Sequence, residues 1–238
     1  MLRNKHVAIA VEGVDTKLVL MWHLSVPPDF RDAKAEFAHV GLYDFKDWRG
    51  YEETQGDPFR RWLQLIKIQP DYSRLAALGV IRDAEFNAEG MEQSIRAAFT
   101  HASLPSPHNS GMWRNDVENT PATGYLLLPV NGSEGCLEHS LLDGLQDDLK
   151  DLQSCAEEFA DCAQRIFQTR NPNAKILNWR AKVITRAIMA GSDRPSIYFG
   201  DTSRQHFWDF EKPALRPILD FLRQASVFAV AKNRPARL

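Results

Sequence analysis

The sequence predicts an α/β fold, a mainly parallel sheet flanked by helices, with a helical C-terminal extension. Three observations predict it. Short buried-type runs of strand length at Val7–Val11, Leu75–Ile81 and Gly124–Pro129 each end in a loop that carries an acid and lead into a helical segment. Beyond residue 145 the apolar residues recur at the helical period instead. Hydrophobic residues make up 44% of the 238 and charged residues 25%, the balance of a folded globular chain.

The elements follow in order. Val7–Val11 breaks at Glu12-Gly13, and a helical segment Lys17–Leu24 follows, closed by Pro27-Pro28. Residues 29–57 suggest only a strand near Val40–Phe45. From Phe59 the spacing of Trp62, Leu65, Ile66 and Ile68 predicts a helix that Pro70 stops. Leu75–Ile81 then delivers Arg82-Asp83-Ala84-Glu85 at its carboxyl end. Asn87 is the expected N-cap of a helix whose apolar positions are Met91, Ile95, Ala98, Phe99 and Ala102. Residues 103–121, rich in Pro, Ser, Asn and Gly, read as a surface loop. After Gly124–Pro129 the loop 131–135 leads to a helix start at Cys136-Leu137-Glu138. Leu145, Leu149, Leu152, Ala156, Phe159, Ala163, Ile166 and Phe167 line one face of a long helix. Further helices are expected at Lys175–Ala190, with Gly191 as C-cap, and at Pro213–Gln224. The length fits one domain or two, with 1–144 as the α/β core and 145–238 as a helical part packed on it, and the count stays open.

Bulk properties exclude several function classes. With 29 Lys and Arg against 31 Asp and Glu the formal charge is -2, so no whole-molecule positive field draws the chain to nucleic acid, and any such contact must be local. Cys136, Cys155 and Cys162 are too few and too irregular for a disulfide framework or a zinc cluster. No run of about 18 apolar residues occurs, and the apolar start is too short for a signal segment, so a cytoplasmic protein without membrane contact is expected. Neither G-x-x-x-x-G-K-[ST] nor G-x-G-x-x-G is present, which argues against ATP hydrolysis or NAD binding by those modes.

Ligands of open α/β sheets bind beyond the carboxyl ends of the strands. Glu12, Asp83 with Glu85, and Glu138 all fall at such ends and can share one pocket. Asp83 and Glu85 are two apart, and in extended chain such residues point the same way. Crowded carboxylates raise one another's pKa unless a cation neutralises them, and oxygen ligands without His or Cys favour Mg²⁺ or Mn²⁺ over zinc. The plain alternative is that acids after strands cap helices. From Cys162 to Ser192 there is no acid, but Arg165, Arg170, Lys175, Arg180, Lys182 and Arg186 are present with Trp179 among them, a pattern suited to phosphates and an unpaired base. Basic helices are more often solvated surface, and the six acids of Asp147–Asp161 offer these cations partners nearby. His108, His139 and His206 lack ligand spacing. Cys136 near His139 suggests a thiol nucleophile, but no triad accompanies it. The run His206–Phe210 reads as a core or interface plug, and Ala229–Leu238 as a short basic tail.

Together, V-E-G-V-D-T-K at Val11–Lys17 and G-V-I-R-D-A-E at Gly79–Glu85 resemble the Toprim domain of primases, topoisomerases and OLD-family nucleases, glutamate first and acidic pair second. The likeness extends over roughly residues 7–225 to a bacterial Toprim-like family near the OLD branch, through Gly124–Asn131, Gly135–His139 and the A-K-I-x-x-W element Ala174–Trp179. The resemblance implies a Toprim-like, Rossmann-like fold and a Mg²⁺- or Mn²⁺-dependent nuclease acting on DNA or RNA, in a bacterial or phage-defence setting. It implies Glu12 as catalytic glutamate, Asp83 and Glu85 as the metal-holding pair, Asp15 and Glu138 as acids of a second metal, and Lys175 as the residue that steadies phosphate charge. A separate ABC-type ATPase partner and a homodimer are implied as well. The pattern departs at Glu85, where Asp is usual, at Thr16 and His139, where acids are common, and at Val130, which usually is Asp. One metal on Glu12, Asp83 and Glu85 needs none of the missing acids, and a catalytically degenerate regulatory or nucleic-acid-binding copy is the open alternative.

Overall fold

The computed structural model describes residues 5–25, 37, 40–45, 57–173, 175–193, 195 and 207–232. Of the positions singled out above, Pro27, Pro28, Ala174, His206 and 233–238 lie outside these residues. Strand β1 (Val7–Val11) is followed by α1 (Val14–Ser25), β2 (Val40–Asp44) and α2 (Pro58–Lys67). Next come β3 (Ala77–Asp83), α3 (Ala88–His101), β4 (Trp113–Arg114) and β5 (Ala122–Leu128). The remaining helices are α4 (Leu137–Asp143), α5 (Lys150–Arg170), α6 (Leu177–Gly191) and α7 (Arg216–Lys232).

The strands form one sheet in the order β2-β1-β3-β5-β4. All pairs are parallel except the last, and the register sets Val11 beside Asp44 on one side and Ile81 on the other, with Asp83 beside Leu128. β1 is apolar throughout because both its faces are covered, as central parallel strands require. Alternate residues divide between the two faces. Ala8, Ala10, Leu78, Val80 and Tyr125 pack on α2 and α3 through Phe59, Trp62, Ile95 and Phe99. Val7, Ile9, Val11, Ile81 and Leu128 join the opposite cluster, built by α1, α4, α6 and α7 through Leu20, Leu141, Ile188 and Phe221. That cluster runs without a break from β1 to α7, across residue 144.

Several element boundaries differ from the sequence reading; Gly191, expected as a C-cap, is the last residue of α6, and Ser192 caps it, its amide donating to the Ile188 carbonyl. The expected loop 103–121 contains β4, because Trp113 lies over bare backbone: a Cβ on Gly124 would meet its ring at 2.6 Å. The same indole stacks on Phe221 at 4.7 Å and donates from Nε1 to the Phe221 carbonyl. The long helix starts at Lys150, not near Leu145, since Leu145 is held in a bridge to Trp208 and Asp147–Leu149 form a 3₁₀ turn. The last helix runs Arg216–Lys232 rather than Pro213–Gln224. Residues 213–215 form a turn in which the Leu215 amide donates to the Lys212 carbonyl, so the helix starts later, and burial of Ala225, Ser226 and Ala229 carries it onward. Phe207, Trp208 and Phe210 are buried, as a core plug would be. The three cysteines are free, and among the described residues no helix is long and apolar enough to cross a membrane.

Candidate functional site

Because β2 and β3 flank β1 on opposite sides, the connections leaving the sheet diverge there, and the carboxyl ends of β1 and β3 form the switch point at which open α/β sheets generally bind ligands. Glu12 follows β1 and continues the ladder, its amide donating to the Ile81 carbonyl at 3.1 Å. Gly13 then turns the chain with a φ of 89°, a value that glycine adopts without a Cβ penalty. Asp83 is the last residue of β3. Acids therefore line the edge of four neighbouring strands: Asp44 ends β2, Glu12 follows β1, Asp83 ends β3, and Glu138 opens the helix after β5.

Each acid has a distinct setting. Glu12 is buried and its Oε2 accepts from Arg82 Nε at 3.1 Å. Arg82 is itself buried, bonds Asp57 at 3.1 Å through Nη1, and lies over the Phe45 ring at 5.5 Å. Asp57 is also the N-cap of α2 and accepts from Ser94 Oγ at 2.9 Å. Asp83 accepts from the Leu137 amide at 2.9 Å, so one of its oxygens tethers the start of α4. Burial, then the Glu12 and Glu138 charges, hold the Asp83 carboxyl well above the usual range, against the pull of that amide. Asp15, in the first turn of α1, is also raised, by burial first, although Arg186 works against it at 3.0 Å.

Glu85 is placed by a different device than strand alternation. It has a φ of 55°, left-handed for a residue with a side chain, which costs roughly 1–2 kcal/mol. Reciprocal backbone bonds with Gly135, at 2.7 and 2.8 Å, hold it there. Its Oε2 accepts from Asn178 Nδ2 of α6 at 2.5 Å. Non-glycine residues kept in this conformation concentrate at functional sites. The extended-chain reason for pairing Asp83 with Glu85 therefore fails one residue past β3, while the turn brings Glu85 into the electrostatic reach of Asp83 by another route.

The predicted cations divide. Lys182 belongs to the acid cluster: burial draws its pKa down, but Glu138, Cys136, Asp83 and Glu85 outweigh this and hold it above the lysine value. Arg186 meets Asp15. Lys175 is exposed, with Nζ 4.4 Å above the Phe86 ring, next to Glu85 in the chain. Arg180 turns away to Asp161 of α5 at 2.9 Å, and Trp179 stacks on Phe167 at 4.7 Å. Arg165 and Arg170 lie exposed on α5. Burial and the charge of Glu138 push the Cys136 thiol far up, so it stays protonated, which removes the thiol-nucleophile reading.

The donor set, carboxylates and an amide oxygen, is of the kind that suits a hard divalent cation. Asn178 Oδ1 is buried with no hydrogen-bond donor among the described residues, on the same amide that holds Glu85. In the present arrangement the carboxylates are turned to protein partners, and among the described residues no three His, Cys, Asp or Glu side chains are gathered tightly enough to ligate one ion. Sequence reasoning missed Asp44, Arg82, Asp57 and Asn178. For Asp44 the signal was present, an acid ending the run Val40–Phe45 as at the other strands. A family model described as "Protein of unknown function (DUF3226)" matches residues 7–226. No curated protein and no solved structure matches the chain.

Proposed function

The chain belongs to the DUF3226 family, and we propose that it is a Mg²⁺- or Mn²⁺-dependent nuclease of Toprim-like fold that cleaves phosphodiester bonds in DNA or RNA. The observation that carries this is the state of Asp83 at the carboxyl edge of a mainly parallel sheet: its carboxyl is pushed up by desolvation first, then by the charges of Glu12, Glu138 and Glu85. Such repulsion is what a bound cation relieves. Asp83, Glu85 and Glu12 would hold it, with Asp15 and Glu138 available to a second ion and Asn178 Oδ1 as a neutral ligand. When bound, the cation offsets the charge that builds on phosphate oxygens during in-line displacement. Glu12 would accept or return the proton of the attacking water, its carboxylate oriented by Arg82. Lys182, Arg186 and Lys175 would neutralise phosphates entering beside the acids. A cytoplasmic setting in phage defence, a separate ABC-type ATPase and a homodimer belong to this proposal on the strength of the sequence resemblance.

One observation favours a second reading, a Toprim-like regulatory or nucleic-acid-binding protein without catalysis. The Glu12 carboxylate already has a cationic partner in Arg82, and the Thr16 hydroxyl, where relatives carry an acid, is spent on the Glu12 carbonyl at 3.1 Å. Titration of Mg²⁺ and Mn²⁺ in a nuclease assay separates the two. Wild type should cut DNA or RNA, and Asp83→Ala and Glu12→Gln should each lose about 10²-fold or more. If wild type cuts neither polymer with either metal, with or without an ATPase partner, the enzyme reading fails and the binding reading stands.

A further inference from the structure

We propose that an exposed seam of α5 packs antiparallel against the same seam of a second copy of this chain, forming a two-fold homodimer in which Glu158 of each copy pairs with Arg165 of the other. This names a surface for the homodimer that the sequence resemblance implies, and it does not depend on the nuclease chemistry.

Helix α5 turns only a narrow face inward. Ala156 and Ala160 are its buried residues, Leu152 lies against Gly191, and Phe167 stacks on Trp179, all towards α6. A second row lies roughly 110° around the helix from Ala156 and Ala160. It consists of Cys155, Phe159, Cys162 and Ile166, spaced four, three and four apart, the alternation of a coiled-coil seam. Phe159 is 58% exposed and Ile166 52%, and both thiols are exposed, so the row faces outward. Reduced cysteines pack in such a seam as small apolar groups.

The flanking charges say what fits it. Between Lys150 and Asp161 the helix carries four acids and one lysine, whereas between Cys162 and Arg170 it carries two arginines and no acid. The helix dipole accounts for an acid in the first turn and a base in the last, Asp151 and Arg170, but not for Glu158 and Arg165 in mid-helix. Those two border the seam on the side away from α6. They are exposed, two turns apart and so out of each other's reach along one helix, and neither makes an ion pair among the described residues. A parallel copy would set acids on acids. An antiparallel copy, related by a two-fold axis between positions 159 and 162, sets Phe159 on the partner's Cys162, Cys155 on the partner's Ile166, and Glu158 beside the partner's Arg165. Each of these contacts then occurs twice. A helix of one charge sign complements only half of α5, and an anionic membrane attracts the arginine half while it repels the acidic half. The chain's own α5 complements both halves.

The test is sedimentation velocity of the whole protein in reducing buffer, across about 1–200 μM, a range that captures weak association. Wild type should pass from monomer to dimer within it. Phe159→Glu, and separately Ile166→Glu, should weaken the dimer at least about thirtyfold. Glu158→Arg alone and Arg165→Glu alone should each weaken it about tenfold, since each turns two attractive contacts repulsive, and the double exchange should return Kd to within about threefold of wild type. Circular dichroism identifies any variant that has not folded. The proposal is overturned if wild type stays monomeric throughout, or if both folded seam variants dimerise as wild type does. It is equally overturned if the single exchanges cost nothing or the double exchange restores nothing, the outcome that a parallel pairing gives. Binding of the monomer to anionic vesicles that Phe159→Glu abolishes makes a membrane the occupant and overturns it too. A wild-type monomer that cuts nucleic acid leaves the nuclease reading standing while this interface fails. A dimer that behaves as described but never cuts leaves this interface standing while the nuclease reading fails.

Discussion

Glu12 and Asp83 sit at the ends of neighbouring strands, and the protein treats the two carboxylates in opposite ways. Glu12 has a guanidinium against it, and Arg82 joins it to the half-buried Asp57 in a three-residue network. Asp83 accepts from the Leu137 amide and faces further acids, and desolvation first, then those charges, drives its carboxyl up. One side of the sheet edge thus carries an arginine bonded directly to its acid, and the other carries several acids in the wider field of Lys182. The difference teaches where an external cation would do most: on the Asp83, Glu85 and Glu138 side, with Glu12 as the oriented neighbour.

The comparison can be broken from either side. Arg82→Ala should have the largest effect, about 3 kcal/mol of lost stability in urea unfolding, because the buried Glu12 and the half-buried Asp57 then lose the guanidinium between them. A loss under about 1 kcal/mol would mean that Glu12 is not held as described. Asp83→Asn should act in the other direction. The folded pKa of Asp83 lies above its ordinary value near 3.8, so its contribution is full when protonated, below about pH 4, and is lost as pH rises through the folded value. The asparagine variant should therefore match wild type in acid and exceed it at neutral pH by about 1 kcal/mol, roughly 2–4 °C in Tm. Millimolar Mg²⁺ should raise the Tm of wild type and not that of Asp83→Asn. A neutral-pH variant no more stable than wild type would show that Asp83 is not strained by its neighbours. The smallest effect is expected at the exposed Arg186–Asp15 pair, where Arg186→Ala should cost less than about 1 kcal/mol by thermal unfolding.

The strands and their terminal acids were legible because buried strands announce themselves locally, in runs of apolar residues that stop at a polar turn. The meeting of Glu12 with Asp83 followed from strand ends converging at one edge. What was not legible depends on chain segments far apart in sequence. Arg82 reads as part of an acidic motif, yet its guanidinium is committed to Glu12, 70 positions away, and to Asp57. Asn178 meets Glu85 from 93 positions away, and Glu85 needs Gly135 to hold its unusual backbone. The basic stretch reads as a phosphate surface, but only packing shows that Arg180 serves α5 while Lys182 and Arg186 border the acids. The period of α5 was visible and its partner was not, since a helical stripe says that a face is apolar, not what lies against it.

Helix α7 lays Ile218, Phe221, Leu222, Ala225 and Ala229 against the sheet, and Lys232 bonds the carbonyls of Ser73 and Leu75 just before β3. During synthesis, β1, β3 and β5 leave the ribosome long before this cover does. The nascent chain therefore keeps this apolar sheet face uncovered from the emergence of β5 until α7 follows, an interval in which exposed apolar surface favours association with other unfinished chains.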